Sequence, residues 1–160
     1  MKPGFGQTIQ SQANLNVLSG SLRDIEDYWD VYDVLPSTQG ANLAARINNI
    51  DILEYLHQHG VNANFQGAQA AAEKGYIDVV RFLIDLDVGM LGVSDAALSG
   101  GHTDIVDLLV ERCGLFPTRQ GILLAKMNGL DPVAHSVAKK YGLKVPLNIP
   151  NKTNVVFKEW

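Results

Sequence analysis

Residues 101–110 read Gly101-His-Thr-Asp104-Ile-Val-Asp-Leu-Leu-Val110, with Ala96-Ala97 shortly before them. The order is a small apolar pair, a turn residue, an acid, a β-branched pair and an apolar run. It returns as Ala71-Ala72 with Gly75-Tyr-Ile-Asp78-Val-Val-Arg-Phe-Leu-Ile84, and as Ala44-Ala45 with Asn48-Asn-Ile-Asp51-Ile-Leu-Glu-Tyr-Leu56. A looser copy follows, Leu123-Leu-Ala125 with Asn128-Gly-Leu-Asp131-Pro-Val133. A degenerate one precedes, Val17-Leu18 with Gly20-Ser-Leu-Arg23-Asp-Ile25, where arginine replaces the acid. Positions 23, 51, 78, 104 and 131 stand 28, 27, 26 and 27 residues apart. A period of this length means units that stack, each too small to bury a core alone.

Each unit reads as two short helices and a turn. The first is built of small residues, as in Ala68 to Lys74, which favour the helix and let a neighbour approach closely. Asn48, Gly75, Gly101 and Asn128 suit the left-handed position that ends it. The aspartate that follows falls in the first turn of the second helix, where a carboxylate complements the helix N-terminus and can accept backbone N–H groups. Repetition argues for capping over catalysis, because a cap is needed once per helix. Pro132 is also welcome at a helix start. In the second helix Ile52, Leu53 and Leu56, or Val79, Val80 and Leu83, form one apolar face. Gly60, Gly89, Gly114 and Gly142 then stop it.

These residues resemble the ankyrin repeat. Gly101 to Val110 is similar to that family's Gly-His-x-Asp-Val-Val-x-x-Leu-Leu segment, and the alanine pairs are similar to its Leu-Ala-Ala helix. The likeness is strong over residues 38–114, moderate to 142, weak over 11–35 and absent from both tails. The family period is about 33 residues, with a β-turn finger beside each helix pair. The shorter period here predicts that most of the finger is missing. The expected fold is all-α, one ankyrin-like α-solenoid of about five helix-turn-helix pairs with short loops. Its units are residues 11–37, 38–64, 65–90, 91–116 and 117–143, and 144–160 form a tail that packs back on the last of them.

The composition agrees. With 46% hydrophobic and 19% charged residues the 160-residue chain is not a disordered one, and no apolar run is long enough to span a membrane. The single cysteine, Cys113, makes no intramolecular disulfide, and the first ten residues lack a secretory apolar region, so the expected location is the cytoplasm. The net charge of −4 is divided along the chain. Residues 1–116 hold six Lys/Arg against fifteen Asp/Glu, and residues 117–160 hold seven against two. A linear stack turns this division into an acidic head and a basic tail.

Motifs that carry chemistry are missing. Gly4-Phe-Gly6 lacks the third glycine of a dinucleotide loop, and no P-loop, HExxH, nucleophile elbow or EF-hand pattern is present. His57 and His59, two apart, fall on different faces of a helix. His102 suits hydrogen bonding around its turn. Cys113 ends a helix, where the dipole disfavours a thiolate. The chain is therefore expected to be no enzyme and to need no cofactor and no metal.

Resemblance to ankyrin repeats implies that a partner protein is held on the concave side, by first helices and inter-repeat loops. Five residues before each acid stand Arg46, Glu73, Ser99 and Lys126, then Ile47, Lys74, Gly100 and Met127; nine before it stand Asn42, Gln69, Asp95 and Ile122. These columns vary in chemistry while the alanine and leucine columns do not. The candidate partner-binding residues are Asn42, Arg46, Ile47, Gln69, Glu73, Lys74, Asp95, Ser99, Lys126 and Met127. Phe65 and Leu91 occupy matching loop positions and are expected to tuck under the next helix. Tyr28, Trp29 and Tyr32, set among Asp24, Glu26, Asp27, Asp30 and Asp33, read as a terminal cap with an aromatic inner face. Val155-Val-Phe157 and Trp160 read as a segment covering the other end. Two rival readings use the charge division. One is nucleic-acid or anionic-surface binding by Lys126, Lys139, Lys140, Lys144 and Lys152, for which the lack of interleaved aromatic residues is a poor sign. The other sets weak head-to-tail self-association against a monomer. Short ankyrin-like proteins also resemble modules that bacterial pathogens and large viruses deliver into host cells.

Overall fold

The computed structural model describes residues 8–145. Gly4, Gly6 and the tail from residue 146, with Lys152, Val155 to Phe157 and Trp160, lie outside the described residues. Five helix pairs follow one another in chain order. They are α1 (Ile9–Asn16, extended by a 3-10 turn over Val17–Ser19) with α2 (Leu22–Tyr32), α3 (Thr38–Arg46) with α4 (Ile50–Gln58), α5 (Phe65–Glu73) with α6 (Ile77–Asp85), α7 (Val93–Gly100) with α8 (Thr103–Cys113), and α9 (Arg119–Met127) with α10 (Asp131–Tyr141). No strand forms among the described residues. The fold is an all-helical repeat solenoid.

A left-handed residue closes the first helix of every pair: Gly20, Asn48, Gly75, Gly101 and Gly129, with φ between 61° and 85°. In the last pair it is Gly129, because Asn128 keeps a φ of −83°. One residue fewer separates this turn from the acid, so Asp131 opens α10, whereas Asp51, Asp78 and Asp104 stand second in their helices. The second helices stop at Gly60, Gly114 and Gly142, as the sequence suggests. In the third pair Asp87 (φ 54°) takes that position and Gly89 does not, which aspartate tolerates better than most residues. The marker acids also cap less than expected. Asn49 accepts from Ile52 N as the N-cap of α4, while among the marker acids only Asp104 accepts a backbone N–H, that of Ile105.

The core runs the length of the stack. First helices supply Ala41, Ala44 and Ala45, or Ala68, Ala71 and Ala72; second helices supply Ile52, Leu53 and Leu56, or Ile105, Val106 and Leu109, all buried. The first helices lie close together because nothing larger fits between them. A β-carbon on Gly67 would press on Asn42, and one on Gly121 would collide with Asp95. The backbones of the second helices stand farther from one another and meet through side chains. A stack close-packed on one side and open on the other curves, with its first helices on the concave side.

At the head, Tyr28 is buried and its hydroxyl donates to the Ile9 carbonyl. Trp29 lies edge-on to His59 (4.7 Å between centroids) and Tyr55 (6.4 Å), so the aromatic side of α2 packs on α4, as a terminal cap should. The acids of α2 stay exposed.

Candidate functional site

Counted back from the left-handed residue, each first helix turns the residues at −9, −6, −5 and −2 toward the concave side. This i, i+3, i+4, i+7 spacing is one helical face. Two grooves cross it. One, of about 400 Å³, is lined by Ser11, Asn14, Leu15, Gln39, Asn42, Leu43, Arg46, Gln66 and Ala70. The other, of about 480 Å³, is lined by Gln69, Glu73, Gly92, Asp95, Ala96, Ser99, Gln120, Leu124 and Asn128. Six of the ten candidate residues line them: Asn42 and Arg46 the first, and Gln69, Glu73, Asp95 and Ser99 the second.

Their hydrogen bonds divide the six into two sets. The −6 row ties each pair to the next. Asn14 accepts from Ser37 N (2.7 Å), Asn42 from Asn64 N (2.9 Å) and Asp95 from both Thr118 N and Oγ1 (2.6 Å each), while Gln69 donates to the Leu91 carbonyl (2.6 Å). These side chains orient the loop that starts the following first helix. In the last pair the row holds Leu123. Arg46 and Glu73, in the −2 row, are exposed, and no described hydrogen bond or ion pair reaches either side chain. Their backbone carbonyls are used instead. Lys74 Nζ donates to the Arg46 carbonyl (3.1 Å), His102 Nε2 to that of Glu73 (3.1 Å) and Asn128 Nδ2 to that of Ser99 (3.0 Å). His102 thus reaches back to the preceding pair, beyond its own turn.

The other candidates lie elsewhere. Ile47 is half-buried against the core. Lys74 is exposed beside Tyr76, its ammonium 5.9 Å from the ring centre. Lys126 is not in the row of Arg46. The shortened turn puts it in the row of Ala45, Ala72 and Leu98, its side chain only 11% exposed and 3.5 Å from Asp131. Met127, 48% exposed, holds the −2 place instead. Ile122 is likewise buried, one residue short of the −6 row. Phe65 and Leu91 do not tuck in. They are 38% and 76% exposed, because Ala63 and Met90 take the buried places in those loops. Gln39, Gln66, Gln120 and Leu43 were not among the candidates. Stepping from Asn42 and Arg46 at helical spacing would have found them.

Elsewhere the polar clusters join neighbouring pairs. Asp107 of α8 accepts from Lys140 (2.6 Å) and from the Tyr141 hydroxyl of α10, and Arg112 pairs with Asp85 (2.8 Å). Burial pushes the Asp107 carboxyl up, but the bonds from Lys140 and Tyr141 outweigh it and hold the group below its ordinary value. Burial, with Glu26 and Asp30 nearby, raises the Tyr55 phenol. Of the lysines that binding of an anionic polymer would use, Lys126 and Lys140 thus face carboxylates, and Lys139 and Lys144 are exposed. His57 bonds Asn62 and His59 the Tyr55 carbonyl, on separate surfaces. Cys113 is exposed at the end of α8. Among the described residues no three His, Cys, Asp or Glu gather as a metal site requires, and no helix is long and apolar enough to cross a membrane.

No protein-family model matches the chain, and a search of curated proteins finds no match either.

Proposed function

We propose that this protein is a binding scaffold without chemistry of its own, a short-period relative of the ankyrin repeat that holds a partner protein on its concave side in the cytoplasm. The observation that carries this reading is the contrast between adjacent rows of the first helices. The rows facing the next helix are mostly small or apolar, as at Ala45, Ala72 and Leu98, or hold a polar residue bonded to the next loop, as at Asn42 and Asp95. The row at −2 reads Leu18, Arg46, Glu73, Ser99 and Met127, with the charges of Arg46 and Glu73 unpaired. A row that neither packs nor braces is free to differ from unit to unit. Phe65 and Leu91, exposed at the starts of α5 and outside α7, extend that surface with apolar contact area of the kind that binding surfaces use.

The test is affinity capture from a cell lysate with the wild type beside a variant carrying Arg46→Ala, Glu73→Ala and Met127→Ala. Each side chain is exposed and the wild-type stability is expected to be kept within about 0.5 kcal/mol per substitution. Partners retained by the wild type should be lost by the variant. An identical set captured by both would overturn the assignment of the concave side.

A further inference from the structure

Resting on that reading of the concave side, we infer that the first of its two grooves, lined from α1, α3 and α5, takes a glutamate side chain of the partner protein, with the carboxylate on Arg46 and the carboxamides beside it. The hydrogen-bonding groups that the groove leaves unused select this ligand. Asn14 Oδ1 accepts from Ser37 N (2.7 Å) and Asn42 Oδ1 from Asn64 N (2.9 Å). A backbone N–H only donates, so both carboxamides are fixed in orientation. The Asn14 nitrogen then donates to Gln39 Oε1 (3.4 Å), and that of Asn42 to Asn64 Oδ1 (3.0 Å), an oxygen that also accepts from Gln66 N (2.9 Å). Both asparagines are thus spent, and so is the Gln39 oxygen. Without a described partner are the Arg46 guanidinium, Gln39 Nε2, the Gln66 carboxamide and the Ser11 hydroxyl, all on exposed side chains. Donors outnumber acceptors among them, and no carboxylate lines the groove.

In the second groove the same inventory has the opposite sense. Gln69 Nε2 and Asn128 Nδ2 are spent on the carbonyls of Leu91 and Ser99, which leaves their oxygens beside the Glu73 carboxylate. Only the first groove therefore suits an anion. A carboxylate has two accepting oxygens and no proton to give, and it matches the fork of a guanidinium. The rest of the lining is apolar, at Leu15, Leu43 and Ala70. The two methylene groups of a glutamate can lie along these side chains while its carboxylate meets the nitrogens, whereas a phosphate has no apolar part to place there. The chain as a whole carries −4, so long-range attraction does not favour an acidic ligand and the local donors must hold it.

The experiment is an NMR titration of the isotope-labelled full chain with short peptides. Three are acetylated and amidated, with glutamate, glutamine or lysine between two leucines; a fourth has the glutamine sequence and a free terminal carboxylate. The glutamate peptide should shift resonances of α1, α3 and α5, the Arg46, Gln39 and Gln66 side-chain N–H groups among them, and bind about threefold to tenfold tighter than its glutamine isostere. Arg46→Gln should remove that preference, and Glu73→Gln, in the other groove, should keep it. Four results would each overturn the inference: no shift in this groove, equal binding of the glutamate and glutamine peptides, a preference that survives Arg46→Gln, or tighter binding of the free terminal carboxylate. The scaffold reading fails separately. If captured partners are lost in the triple variant while the glutamate peptide leaves the first groove unshifted, the concave side binds protein but not through this contact. If the peptide binds as expected while the captured set is unchanged, the contact stands and the scaffold reading falls.

Discussion

The two sides of the stack are joined by different means. Along the first helices the contact is close and continuous, with glycine or alanine at the crossings and the −6 side chains bonded to the next loop. Along the second helices it includes separate side-chain contacts at exposed and half-buried positions: Arg112 with Asp85, Lys140 and Tyr141 with Asp107, Trp29 with His59, and His57 with Phe82. Shape follows from this difference. The inner seam sets how closely the units approach and the outer seam sets only how far they splay, so steric changes should act mainly on the first and charge changes mainly on the second.

The largest effect should come from crowding the inner seam. Gly121→Val drives side-chain carbons into the Asp95 backbone and carboxylate, and we expect a loss of about 3 kcal/mol by urea denaturation. Arg112→Ala on the outer seam removes an exposed ion pair and should cost under about 1 kcal/mol. Equal losses would break the comparison. An effect between these two should follow Asp95→Ala, which leaves the seam uncrowded but removes both bonds to Thr118. The expected cost is about 1–2 kcal/mol, measured the same way.

The smallest effect sharpens the outer seam through pH. Asp107 is held below its ordinary 3.8, so its contribution is present above that value and is lost as pH falls through the lowered one. Tyr141 is raised above 10.0, by burial first and then by its bond to Asp107, and Lys140 above 10.5, by that carboxylate. Their contributions are present below those values and are lost as pH rises through the raised ones. Asp107→Asn should therefore lower Tm by roughly 1–3 °C, constant between about pH 5 and 9 and shrinking on both sides. A difference independent of pH would mean that packing, and not charge, joins α8 to α10.

Much of this arrangement was legible in the chain. Repeating turn residues and apolar runs, with alanine pairs in three of the units, located all five helix pairs, and even the degenerate first unit keeps its left-handed Gly20. What escaped has a physical cause. Asp131 resembled the other acids so closely that counting from it displaced Lys126 and Ile122 by one residue, and one residue on a helix turns a side chain by about 100°. Gly129, beside the equally plausible Asn128, carries the true reference. The bracing role of the −6 row escaped for another reason: its partners Ser37, Asn64 and Thr118 lie 22 or 23 residues downstream, and although they recur 27 or 54 residues apart as the N-caps of α3, α5 and α9, a capping residue announces its own helix start and not the side chain that braces it from the preceding unit. The exposure of Phe65 and Leu91 depended on Ala63 and Met90 winning the buried loop positions, a competition decided by packing.

Leu123 bears on how such a protein lengthens. Every earlier unit offers a polar side chain at this place for the loop of its successor, so a duplicated copy of α3–α4 or α5–α6 inserted behind itself would find its docking bonds ready-made. A tandem copy of α9–α10 would meet a leucine with nothing to donate or accept. Growth by duplication is thus open from within and closed behind the fifth unit, until a single Leu123→Asn change supplies the missing bond.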